Sequence, residues 1–86
     1  MPLVSRFFGI RVYVYFSDHP PAHFHVRYAE YQAEFDIETL GLIAGELPRR
    51  AHTLVVEWAL LHQDELRANW EKARQGLPLD KIEPLD

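Results

Sequence analysis

Hydrophobic and polar residues alternate with a period of two through the first half of the chain and with a period near 3.6 through the second. Over residues 7–17, Ile10, Val12, Val14 and Phe16 fall on one face and Arg11, Tyr13 and Tyr15 on the other, which predicts a strand whose second face is aromatic. Residues 24–28 and 31–37 alternate in the same way, and only Ala29-Glu30 separates them, which predicts a tight hairpin. Closing it on two residues sets Tyr28 opposite Tyr31, Arg27 opposite Gln32, His25 opposite Glu34 and His23 opposite Asp36. Phe24, Val26, Tyr28, Ala33, Phe35 and Ile37 then share a core face, while His23, His25, Arg27, Glu34 and Asp36 gather on the other. Glu38-Thr39-Leu40-Gly41 reads as a turn and residues 42–45 as a short strand, its length limited by two glycines.

From Pro48, a favoured first helical residue, Leu47, Ala51, Leu54, Val55, Trp58 and Leu61 recur at spacings of three and four. Leu66, Trp70 and Ala73 have drifted by roughly a quarter turn from that stripe. A break is therefore expected near His62-Gln63-Asp64, with Asp64 capping a second helix that runs to about Gln75 and stops at Gly76. Leu79, Ile82 and Leu85 punctuate an extended arm, residues 77–86, expected to dock on the domain. The whole is predicted to be one α+β domain spanning residues 1–86. A three- to four-stranded antiparallel meander over residues 7–45 precedes two helices, or one kinked helix, over residues 48–75 that cover one face.

Composition sharpens this only in places. A chain of 86 residues, 48% hydrophobic, builds a single small core. A net charge of -4 disfavours nucleic-acid binding through the overall field, yet the charge is uneven. Residues 1–29 hold Arg6, Arg11 and Arg27 against Asp18 alone, whereas residues 30–86 are acidic. With no cysteine, any metal must be held by histidine and carboxylate. Arg6 and Arg11 interrupt the apolar start and no cleavage site follows, so neither a signal peptide nor a membrane span is expected, and the expected location is the cytoplasm.

The chemistry concentrates in Ser17-Asp18-His19-Pro20-Pro21-Ala22-His23-Phe24-His25. Two prolines stiffen the connection and hold His19 relative to His23 and His25. As a metal site, His19, His23 and His25 with Glu34 or Asp36 offer nitrogen and oxygen ligands suited to zinc or another divalent metal. As a metal-free phosphodiesterase site, His23 or His25 acts as general acid and base, with Arg27, Arg11 or Arg6 stabilising the phosphate and Tyr13 and Tyr15 exposed to stack bases. As a structural cluster, His23 and His25 hydrogen-bond Asp36 and Glu34, and His19 caps the loop against Asp18. His52 lies off the apolar stripe, and His62 sits where it can satisfy helix-terminal carbonyls. Trp58 is a core anchor; Trp70 fits either the core under the arm or a partner groove. Glu57, Asp64, Glu65 and Glu71 read as a solvated helix face.

Across nearly its whole length the chain resembles a family of small bacterial proteins known as domain of unknown function 4160. The resemblance rests on Ser5-Arg6-Phe7-Phe8-Gly9-Ile10, on Asp18-His19 through His23-Phe24-His25, on Glu46-Leu47-Pro48, on Glu57-Trp58 with Leu61-His62, on Asn69-Trp70-Glu71 and on Lys81-Ile82-Glu83-Pro84-Leu85. Ala22 stands where the family usually has a second proline before His-Phe-His, and Ala29-Glu30 where it commonly has Gly-Glu. The resemblance implies a component of a bacterial toxin-antitoxin pair, with a small partner of the domain of unknown function 2442 type. A free edge at the first or fourth strand offers a route to a homo-oligomer.

Overall fold

Two consecutive residues with positive φ, Phe8 (49°) and Gly9 (79°), reverse the chain ahead of the first alternating run. Positive φ at both central positions is what a two-residue hairpin needs for its turn to follow the twist of its strands. The computed structural model describes residues 2–16 and 19–86 and places a strand on each side of this turn, β1 (Leu3–Phe7) and β2 (Ile10–Tyr13). β3 (His23–Tyr28), β4 (Tyr31–Asp36) and β5 (Leu42–Gly45) follow, and all five pair antiparallel in the order β1-β2-β3-β4-β5. The sheet thus has five strands where three to four were predicted. Residues 7–17 are not one strand: the first of them closes β1, the turn intervenes, and β2 ends at Tyr13; the expected end at Ser17 lies outside the described residues. β1 stayed hidden because a bulge between Leu3 and Ser5 shifts its register and so breaks its alternation.

The β3–β4 hairpin has the register counted from the sequence, Tyr28 to Tyr31 through His23 to Asp36. Ala29 takes φ 51°, so this turn closes on two residues without glycine. Phe24, Val26, Ala33, Phe35 and Ile37 are buried on one face beneath helices α1 (Arg49–Leu61) and α2 (Gln63–Arg74). Trp58 is fully buried among Phe7 and Phe24, with ring centroids 5.3 and 6.1 Å away. Ala51, Val55, Leu66, Trp70 and Ala73 complete the helical side of the core.

Leu61, Phe16 and Asp64 depart from the predicted pattern. Leu61, placed on the apolar stripe, is 68% exposed because α1 ends there. Phe16 is 46% exposed, lying past the end of β2. Asp64 does not cap α2: His62 occupies that position, and Asp64 stands in the first turn with Glu65, where negative charge offsets the helix dipole.

The C-terminal arm docks as expected. Ile82 is buried and its N–H donates to the Val4 carbonyl at 2.8 Å, while Lys81 Nζ donates to the Leu3 carbonyl. Asn69, buried on α2, exchanges two 2.9 Å bonds with the backbone of Asp80, and Trp58 Nε1 donates to the Glu83 carbonyl at 2.8 Å. The arm therefore runs along the outer edge of β1. At the opposite edge every residue of β5 is exposed.

α2 is also fastened at its start. Gln63 Nε2 donates to the Ile37 and Glu38 carbonyls, and Arg67 grips both Glu38 oxygens at 2.8 and 3.0 Å. The hydrogen bond from Arg67, aided by its charge, holds the Glu38 carboxyl below its usual value, and the same bond raises Arg67. A carboxyl whose folded pKa is lowered stabilises the fold above its ordinary pKa of 4.5 and loses that contribution as pH falls through the lowered value. Glu38→Gln should therefore lower the melting temperature at neutral pH, and the gap to the native protein should shrink below pH 4.5 and vanish in strong acid. Gly45 gives a second test. It has φ 76°, and a Cβ there would lie 2.1 Å from the Gln32 carbonyl oxygen and 2.9 Å from Ala33 Cα. Gly45→Ala should cost at least about 2 kcal/mol in urea unfolding, through strain plus displacement of β4.

Candidate functional site

Alternation along β3 turns His23, His25 and Arg27 away from the core residues Phe24 and Val26. Glu34 on β4 is the register partner of His25, and Tyr13 on β2 flanks His25 from the other side. One donor atom from each of His23, His25 and Glu34 can be chosen so that all three lie within 4.8 Å of one another. Ligands at 2.0–2.1 Å in a tetrahedral zinc site stand about 3.3 Å apart, which is inside the 4.8 Å limit that bounds this trio.

His23 is the most constrained member. Its side chain is 2% exposed, and its Nδ1 lies 2.6 Å from the Pro21 carbonyl oxygen. A carbonyl only accepts, so Nδ1 carries a proton; in the neutral ring the lone pair is then on Nε2, which lies 3.6 Å from Glu34 Oε1. The Trp70 ring packs 5.2 Å from His23, which places Trp70 in the core beside the histidine. His25 is half-buried, with Tyr15 edge-on at 4.3 Å and His23 at 5.0 Å. A cavity of about 100 Å³ opens beside them, lined by Tyr15, His25, Arg27, Gln32, Glu34 and Ala44.

The other expected residues divide. His19 is exposed, its ring 5.7 Å from that of His23, so it borders the trio. The expected pairing of His19 with Asp18 falls on a residue outside the described ones. Asp36 stands opposite His23 in register, but its Oδ1 accepts from the N–H groups of Glu38 and Thr39 at 2.7 and 3.0 Å. Two nearby turn amides claim that carboxylate, and Glu34 is the acidic group brought to His23 instead. Tyr13, expected to be exposed, is 6% exposed: the Arg27 guanidinium lies 5.8 Å over its ring and Tyr15 stacks on it at 5.9 Å. Tyr15 is therefore the tyrosine of β2's flank that borders the cavity. His52 packs edge-on to Phe35, and His62 Nδ1 lies 2.5 Å from Glu65 Oε1, so neither joins the cluster.

Sequence reasoning missed the alignment of Arg6. Arg6 pairs with Arg11 and Arg11 with Arg27, so the three form one cross-strand row beside the histidines. The signal was present in Phe8-Gly9, a turn dipeptide, but the apolar run around it masked the reversal.

Compared with known proteins, the chain matches a family model described as "Domain of unknown function (DUF4160)" over residues 9–71. No curated protein and no solved structure matches it. No helix is long and apolar enough to cross a membrane among the described residues.

Proposed function

The chain belongs to the domain of unknown function 4160 family, and on that footing we propose that it is a small metal-dependent phosphodiesterase whose centre is His23, His25 and Glu34. The observation that carries this reading is the bond from His23 Nδ1 to the Pro21 carbonyl, which aims Nε2 at a carboxylate 3.6 Å away within a three-donor group. A histidine that ligates a metal through one nitrogen typically donates the other N–H to a carbonyl or carboxylate, which fixes tautomer and ring orientation. His23, His25 and Glu34 would hold the ion through two nitrogens and one oxygen, and a zinc so held would acidify a bound water to a pKa of about 7. The metal would supply this activated water as the nucleophile for phosphorus, in exchange for the leaving oxygen. His19 at the rim supplies a proton to that oxygen, and Arg27 offsets the charge on the phosphoryl oxygens.

Protein purified without an affinity tag should carry about one zinc per chain by elemental mass spectrometry, and His25→Ala and Glu34→Ala should lose it while melting cooperatively. Hydrolysis of a simple phosphodiester should fall at least ~100-fold in these variants and in chelated protein, and return with added zinc. A native protein that neither retains nor takes up zinc sinks this reading.

A second reading, a toxin-antitoxin component working through a small protein partner, is favoured by the β5 edge. Leu42 and Ile43 are 43% and 45% exposed there, and β5 carries neither charge nor proline, the usual guards of an open edge. A partner strand added to β5 would extend the sheet. Ile43→Lys should then abolish co-purification with a co-expressed partner of the domain of unknown function 2442 type without lowering the melting temperature. Unchanged co-purification removes the edge from consideration, and growth with and without the partner separates a toxic from a neutralising role.

A further inference from the structure

The row Arg6, Arg11 and Arg27 places three guanidinium-bearing residues directly opposite one another on neighbouring strands, with Gln32 next in line on β4. Such neighbours have Cβ atoms about 5 Å apart, and like charges so placed destabilise a sheet. Among the described residues no carboxylate forms an ion pair with any of the three. The five acidic residues of positions 30–47, with no basic residue among them, lie on the β4–β5 side. A sheet that keeps an uncompensated cationic row breaks a local rule of stability, and such breaks concentrate where a ligand supplies the missing charge.

From this row we infer that the open sheet face is a track for single-stranded nucleic acid, an inference that rests on the phosphodiesterase reading and names its substrate. Guanidinium forks match phosphate oxygens, and a row of them suits a run of phosphates better than a single anion. The row leads to the metal trio: Arg27 is two residues from His25 on β3, so a strand lying over Arg6 and Arg11 delivers its next phosphate to the centre. The cavity beside His25 is lined by the aromatic Tyr15 and by polar groups of Gln32 and Glu34, as a flat base requires, and its volume is roughly 100 Å³. A single strand satisfies both demands, since its bases can turn to the sheet while its backbone follows the arginines.

The test is fluorescence anisotropy of the full chain with a labelled twelve-nucleotide RNA or DNA single strand, in chelator so that nothing is cleaved. Three phosphate contacts predict a slope of about -2 for log K against log salt, and Arg6→Gln/Arg11→Gln should reduce it to about -0.7. The same double variant should bind at least tenfold more weakly, with its zinc content unchanged and its melting temperature equal to or above that of the native chain. Binding of either sugar with these slopes supports the track, even if zinc proves absent and the hydrolytic reading fails alone. Equal or tighter binding of duplex overturns it, as does indifference of the affinity to the double variant. Zinc-dependent cleavage of a simple diester without oligonucleotide binding also overturns the track and leaves the hydrolase standing. Displacement by poly-glutamate at equal charge concentration with no salt slope for oligonucleotide assigns the row to an acidic peptide and overturns it.

Discussion

Trp58 is the joint on which the remaining structure depends. Its ring lies between Phe7 and Phe24, so it binds α1 to β1 and β3 at once, and its Nε1 donates to the Glu83 carbonyl on the arm. A buried indole N–H without a partner would cost about 1–3 kcal/mol, so the ring fits the core only while the arm is docked. The arm in turn supplies Ile82 to the core and a donor to Val4. In a chain of 86 residues, where one core has little to spare, this reciprocal requirement makes helix, sheet edge and terminus a single cooperative unit.

The site inherits its rigidity from the same packing. His23 stands at the first position of β3, held by the Pro21 carbonyl on one side and Trp70 on another, and Trp70 belongs to the helix that Asn69 ties to the arm. The ring is thus oriented by its own preceding loop and by a helix distant in sequence. Glu34 is placed by a hairpin that closes on two residues, so the hairpin register sets the spacing between imidazole and carboxylate. Groups held this way keep a fixed mutual spacing.

Much of this could be read from residue order. The convergence of His23, His25 and Glu34 follows from period-two alternation and the length of one turn, both local properties. Local patterns also located the break at His62, since the stripe of α1 and that of α2 differ by a fixed angle. What escaped was whatever required a neighbour. β1 is irregular at Val4 and acquires its identity from pairing with β2, so it carries no alternation of its own. Leu61 looks like a core residue until the helix is seen to stop beneath it. Asp36 looks like a partner for His23 until two amides of the following turn are seen to be nearer. Tyr13 is covered by Arg27, a residue on a different strand.

The asymmetry between the two edges of the sheet governs growth. One margin is partly covered by the chain's own arm, whose Ile82 N–H donates to the Val4 carbonyl, and among the described residues the other margin is exposed along its length. The arm thus works against growth of the sheet at the β1 margin, and the β5 margin is where a further strand would find exposed residues.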